Sequence, residues 1–189
     1  MESFNEIKKI NIVGTSGSGK STLGKILAKE MDAKFVGLDE LHWLPYWKGR
    51  SDEELFRLLE KELDCERWVL DGNYQRTASI KWADVDLVIW LDLPRWLNFY
   101  QAISRAIKRI MSGQEIWPGT GNRETFWRTF FSKDSILLWT LRSYSNNKRR
   151  YHSIMKDPHY SHLRFIRICT RKELNEFIAH FSLHSRKMK

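Results

Sequence analysis

Short apolar runs alternate along this chain with longer stretches in which apolar residues return every three or four positions. Ile10-Asn11-Ile12-Val13 reads as a buried strand, and the stretch from Ser21 to Met31, with Leu23, Ile26, Leu27 and Met31 on one side, reads as a helix. Lys34-Phe35-Val36-Gly37-Leu38 is a second short strand, ending at Asp39. Ser51 with Glu54 fits a capping box, opening a helix whose buried face is Leu55, Leu58, Leu59 and Leu63. Trp68-Val69-Leu70 predicts a third strand, and Val85 to Leu91 a fourth that runs into Asp92-Leu93-Pro94. A helix from about Arg95 to Met111 gathers Trp96, Phe99, Tyr100, Ile103, Ile107 and Ile110 on one face, with Arg105, Lys108 and Arg109 on its other side. Ser112 to Asn122, broken by Gly113, Pro118, Gly119 and Gly121, reads as a mobile loop. A helical region from about Glu124 to Met155, interrupted near Ser132, ends before Asp157-Pro158. The last strand is about Arg164 to Ile168, and Thr170 to Glu173 is a capping box for a final helix with Leu174, Phe177, Ile178 and Phe181 inward.

This alternation predicts an α/β fold with a parallel sheet covered by helices on both sides. In such sheets ligands bind beyond the carboxyl ends of the strands, where Gly14, Asp39, Asp71, Asp92 and Thr170 fall. No repeat or linker divides the chain, so residues 1–189 read as one domain.

Between the first strand and the first helix stands Gly14-Thr15-Ser16-Gly17-Ser18-Gly19-Lys20-Ser21, which fits G-x-x-x-x-G-K-[ST] in the strand–loop–helix context that gives the pattern meaning. Glycine backbones can approach a polyphosphate closely with their N–H groups turned inward, and the helix start adds its positive dipole end. Lys20 would reach the outer phosphates, the Ser21 hydroxyl would ligate the Mg²⁺ that bridges them, and Thr22 would assist at the α-phosphate. ATP and Mg²⁺ are therefore the expected ligands, with Ser16, Gly17, Ser18 and Gly19 also lining the nucleotide site.

The formal net charge of +9 fits either a nucleic-acid footprint or arginines gathered round an anionic small substrate. The polar N-terminus and the acidic breaks at Asp86 and Asp92 in the longest apolar stretch argue against a signal peptide or a membrane span, and the expected location is the cytosol. Cys65 and Cys169 form no C-x-x-C pair and read as packing residues.

The remaining candidates divide by strand end. Asp39 could accept the proton of an attacking hydroxyl, hold a Mg²⁺-bound water, or merely cap a helix or face solvent. Asp71, after an apolar run that resembles a Walker B strand, could hold Mg²⁺ through water, although Asp-Gly is also a turn signal. Trp43, Tyr46 and Trp47 could wall an acceptor by stacking or form a cluster under a loop. Arg76 is placed to grip an anionic acceptor group. Arg105, Arg109, Arg123 and Arg128 flank the glycine-rich loop, which makes that segment a candidate arginine-bearing lid, or else a basic surface. Lys148-Arg149-Arg150 reads as an ordinary helix surface.

Taken together these motifs resemble the adenylate kinase-like P-loop kinases over nearly the whole chain, and within them the bacterial topology modulation proteins of the FlaR type. The matching pieces are Gly14 to Ser21, Leu38 to Trp43 with Pro45 and Trp47, Leu70-Asp71-Gly72-Asn73-Tyr74, Leu91 to Trp96, and Arg105 to Arg109. The resemblance implies a three-layer α/β/α fold with a five-stranded parallel sheet in the order 2-3-1-4-5. It also implies an acceptor-binding insertion at about 40–66, its helix around Asp52 to Asp64, and a helical lid at about 111–128. Thr170 and Arg171 would lie beside the adenine base. Nucleoside monophosphate kinases carry Asp-Gly-Phe-Pro-Arg where this chain has Asp71-Gly72-Asn73-Tyr74-Gln75-Arg76, so the arginine stands one residue further on and the proline is missing. Three functions are thus open: an ATP- and Mg²⁺-dependent small-molecule kinase in which Lys20 and the lid arginines act on the moving phosphoryl group, a nucleotide-switched DNA-binding protein, and an NTPase regulator without an acceptor.

Overall fold

A computed structural model describes residues 6–130 and 135–186. Strands β1 (Lys9–Gly14), β2 (Lys34–Gly37), β3 (Trp68–Asp71), β4 (Leu87–Leu91) and β5 (Phe165–Ile168) form one parallel sheet in the order β2-β3-β1-β4-β5, as the resemblance implied. Helices α1 (Lys20–Met31), α2 (Leu38–His42), α3 (Asp52–Leu63), α4 (Ala78–Lys81), α5 (Arg95–Ser112), α6 (Phe126–Phe130), α7 (Ile136–Ile154) and α8 (Arg171–Arg186) fill the connections. The predicted fourth strand starts later than expected. The Asp86 carboxylate accepts the N–H groups of Lys8 and Lys9, each at 2.8 Å, so Asp86 clasps β1 and the strand begins at Leu87.

Side chains alternate across the pleat and so build two cores. Ile10 and Ile12 of β1 and Leu87, Ile89 and Leu91 of β4 face α1 and α8, where Leu23, Leu27, Leu174 and Phe181 meet them. Val13, Val88 and Trp90 point the other way, against Tyr151 and Ile154 of α7. Leu55 and Leu59 of α3 pack on Val36, Leu38 and Leu70 at the β2 edge. The Ser51 hydroxyl accepts the Glu54 N–H at 3.3 Å, the cap predicted for α3. No helix among the described residues is long and apolar enough to cross a membrane.

One expectation gives way. Helix α5 does not bury its large apolar residues: Trp96 is 70% and Tyr100 66% exposed, and the buried stripe is Asn98, Ala102 and Ala106. The helix crosses a glycine of the phosphate loop at backbone contact, and only small side chains fit there. The helical region after Glu124 comprises two helices, α6 and α7, and the break foreseen near Ser132 lies outside the described residues.

Beneath the second core Lys81 is 0% exposed, and its Nζ has no hydrogen-bond partner among the described residues. It lies 4.9 Å from the centroid of the Trp82 ring. Burial, then the charge of Arg150, pushes this amine down to about 7. The unfolded chain therefore holds more protons than the folded one between about pH 7 and the ordinary lysine value of 10.5, and stability rises with pH through that window. Lys81→Met should stabilise the protein most at or below pH 7. Its advantage over the wild type should shrink by up to about 1.4 kcal/mol per pH unit above that. Urea titrations at a series of pH values read this gap, and a constant gap would show that the folded amine is not held neutral.

Candidate active site

At the carboxyl end of β1 the chain leaves the sheet through Gly14, Gly17 and Gly19, all with positive φ. A Cβ on Gly17 would stand 2.3 Å from the Asn98 carbonyl oxygen and 3.2 Å from Ala102 Cβ, so α5 rests directly on the loop. Gly19, with φ near 93°, is the N-cap of α1. The amine of Lys20, the first residue of that helix, donates to the Thr15 carbonyl at 3.1 Å, inside the curve of the loop. Burial drives its pKa below the ordinary lysine value, Arg105 pushes the same way, and Asp71 and Asp39 oppose them. Ser18 Oγ is buried without a hydrogen-bond partner among the described residues.

Asp71 ends β3 beside α1, and its Oδ2 accepts the Ser21 hydroxyl at 2.5 Å. Burial raises this carboxyl, while Lys20 and the Ser21 hydrogen bond pull it down. A hydroxyl and a carboxylate in contact next to a lysine form a hard oxygen donor pair of the kind that would suit Mg²⁺. The residues present thus fit the cation.

Asp39, in the first turn of α2, is exposed, and its Oδ1 accepts the Tyr74 hydroxyl at 2.9 Å. Burial and the neighbouring Asp39 raise the Tyr74 pKa, so the phenol stays a donor. Arg76 is already engaged: Nη1 meets Asp52 at 3.0 Å and Nη2 meets His42 Nδ1 at 3.2 Å. Burial and then Arg76 hold the His42 imidazole below its usual range, so it is neutral near pH 7 and accepts at Nδ1.

Trp43 and Trp47 form one aromatic cluster with a residue from the glycine-rich segment: Trp117 stacks on Trp43 with centroids 5.7 Å apart and meets the edge of Trp47 at 5.6 Å. Tyr46 points away and is 95% exposed. Asn122, buried in the same segment, donates to the Leu44 carbonyl at 2.8 Å and accepts the Trp47 N–H at 3.0 Å. A bridge between Glu115 and Arg123 closes the segment on itself, so it is a folded hairpin rather than a loose loop. The Arg105 guanidinium donates to Ser16 Oγ at 3.1 Å. Arg109 pairs with Glu124 at 3.4 Å, and Arg123 is exposed. The side chain of Arg128 lies outside the described residues. A cleft of about 440 Å³ runs along α5 between Tyr100, Gln101, Ser104, Arg105, Lys108 and Arg109.

The structure therefore brings together the loop, Lys20, Ser21, Asp71, Asp39 and Arg105. Thr22 is exposed on the first turn of α1. Thr170 Oγ1 accepts the Glu173 N–H at 3.1 Å and so serves as the cap of its own helix, with Arg171 following it. Sequence reasoning missed Trp117 and Asn122, which only a long-range contact identifies. It also assigned no role to Tyr74 or His42, although the aromatic density from His42 to Trp47 was a signal.

No protein-family model matches the chain. An uncharacterized protein, YqaC of Bacillus subtilis (strain 168), is 33% identical over 136 residues, 68% of this chain and 72% of YqaC. The chain belongs to the YqaC family. A shikimate kinase of Synechococcus sp. (strain RCC307) is 33% identical over 96 residues, 43% of this chain and 49% of that enzyme, so the chain spans about half of the kinase it matches. In fold it matches a shikimate kinase from Acinetobacter baumannii, solved with shikimate, with a TM-score of 0.57 at 17% identity over 98% of both chains. This member of the YqaC family is thus a P-loop kinase-like protein related to shikimate kinases.

Gly17 tests the packing on which the site rests. Gly17→Ala adds a Cβ at φ 82° against the Asn98 carbonyl, and the strain of about 1–3 kcal/mol should weaken Mg·ADP binding about tenfold or more in calorimetry. Gly113→Ala, where a Cβ meets nothing within 4 Å, should leave that affinity within about twofold.

Proposed function

We propose that this protein is an ATP- and Mg²⁺-dependent phosphotransferase that moves the γ-phosphoryl group to a hydroxyl of a small-molecule acceptor. The observation that carries the reading is the gathering of charged groups at the loop: Lys20 on the Thr15 carbonyl, Arg105 on Ser16, Asp71 on Ser21, and Asp39 held by Tyr74 of the same turn as Asp71. A cationic cradle beside a carboxylate distinct from the Ser21–Asp71 pair supports this reading. The relationship to shikimate kinases supports it.

In this reading the loop N–H groups and Lys20 hold the phosphates, and Arg105, fixed to Ser16, offers positive charge where charge develops in transfer. Mg²⁺, bound with the nucleotide, would neutralise phosphate charge and orient the terminal group. Asp39 accepts the acceptor's hydroxyl proton, and Tyr74 occupies one of its oxygens so that the other faces the acceptor. Residues 40–66 form the acceptor side and 111–128 the lid; Trp117 and Asn122 join the two, excluding water that would otherwise take the phosphoryl group. Arg76, paired with Asp52 and His42, braces the acceptor side instead of gripping the acceptor, which revises the role expected of it. We also place the chain with the FlaR-type proteins, on its Leu70 to Tyr74 and Leu38 to Trp43 motifs.

A transfer screen with γ-labelled ATP across nucleosides, nucleoside monophosphates, sugars and small hydroxy acids tests the assignment. A labelled organic product is expected, lost in Lys20→Ala. Tyr74→Phe should slow transfer about tenfold while leaving the Mg·ADP dissociation constant unchanged. Label released only to water across the panel would overturn the kinase assignment.

A further inference from the structure

Strand β1 loses its neighbour on the β3 side before it reaches the phosphate loop. Pairing with β3 ends at Ile12 opposite Asp71, and the Gly72 N–H closes on the Ile12 carbonyl at 3.2 Å. Residues two apart on a strand direct their backbone groups to the same side, so the N–H and C=O of Gly14 face the space that β3 has vacated. On the other side β4 continues to Leu91, opposite Gly14. Without a partner, two polar groups at the entrance of the loop would stand unpaired next to the core.

The Asn73 side chain fills that space. Its Oδ1 accepts the Gly14 N–H at 2.8 Å, and its Nδ2 donates to the Gly14 carbonyl oxygen. A carboxamide carries the same acceptor and donor as a peptide group, so one side chain supplies what a continuing strand would have given. The amide orientation is fixed by a third contact: the hydroxyl of Tyr151, a fully buried residue of α7, donates to the same Oδ1 at 3.1 Å. From the same helix Arg150 donates to the Asn73 main-chain carbonyl at 3.3 Å. The basic run at Lys148 to Arg150, read as helix surface, thus contributes one arginine to the underside of the site.

We propose that Asn73 is a positioning residue for nucleotide binding, its carboxamide holding the first residue of the phosphate loop and tying that loop to α7. The inference rests on the nucleotide site described above. It deepens that reading by naming what keeps the loop in shape where β3 has ended. Asn73→Ala removes both bonds to Gly14, and Asn73→Asp keeps the acceptor but sets a carboxylate oxygen against the Gly14 carbonyl. Tyr151→Phe leaves both bonds in place.

Calorimetric titration with Mg·ADP well below the melting temperature gives the test. The alanine variant, with two hydrogen bonds lost, and the aspartate variant, with one lost and an oxygen–oxygen repulsion added, should each bind about tenfold more weakly than the wild type, and Tyr151→Phe less than about threefold. In ¹⁵N-glycine-labelled protein the Gly14 amide should shift in Asn73→Ala while those of Gly113 and Gly119 stay in place. Leu87→Ala, at the opposite end of the sheet, controls for general loss of stability and should melt earlier with its Mg·ADP affinity retained. Wild-type affinity in Asn73→Ala, or a loss matched by the Leu87 variant, overturns the role of Asn73. A wild-type protein that does not bind Mg·ADP would instead overturn the nucleotide site itself.

Discussion

The constraint on which the rest of the site depends is the exit of β1. The strand must stay in the sheet as far as Gly14, where a Cβ would come within 2.6 Å of the Leu91 carbonyl oxygen, and then turn at once into the phosphate loop. On one side β4 holds it; on the other the sheet has ended. The turn that follows β3 takes over there, and successive residues of that turn serve different parts of the site. Asp71 meets Ser21, Asn73 meets Gly14, Tyr74 meets Asp39, and Arg76 meets Asp52 and His42. One short segment thereby sets the spacing between the phosphate cradle and the carboxylate beside it. An interior strand gives such a turn its precision, since the turn leaves β3 from between β2 and β1 and runs directly into the short helix α4.

Electrostatics explain why the charged groups tolerate each other. Lys20 and Asp71 each pay a desolvation cost that shifts them toward neutrality, and each is returned toward its charged form by the other. A pair of this kind contributes little to stability, because the attraction roughly offsets the loss of water. What it achieves is a site with preset charges in a recessed setting, where an incoming polyphosphate meets fixed donors instead of mobile solvent. Arg105 adds to this from α5. Its reach to Ser16 goes with Ala102 letting the helix lie against Gly17.

The phosphate loop and the parallel sheet were legible because they are local and periodic: a glycine spacing set between a strand and a helix, and apolar runs alternating with helices; the strand order came from the family resemblance alone. The face of α5 was not legible. Periodicity favours the side with Trp96, Tyr100 and Ile107, yet the close crossing over a glycine selects Asn98, Ala102 and Ala106. Arg150 looked like surface charge because its partner, the turn after β3, is far away in sequence. Trp117 failed to register for the same reason, whereas Trp43 and Trp47 stood out through their crowded neighbourhood. Local chemistry is written in the chain, and the partners it finds across the fold are not.

The aromatic cluster bears on how the two sides of the site communicate. Trp117 and Asn122 come from the segment after α5, and they contact Trp43, Leu44 and Trp47 from the segment after β2. Backbone strain is concentrated at the same place, with Tyr46 and Trp47 both at positive φ near 60°. Strained non-glycine residues persist where surrounding contacts hold them, and here the hydrogen bond from the Trp47 N–H to Asn122 is one such contact. Loosening the segment after α5 would therefore release the aromatic segment as well. Because the aromatic segment follows directly on α2, which carries Asp39, only a few residues of chain separate the contacts of the proposed lid from the proposed base.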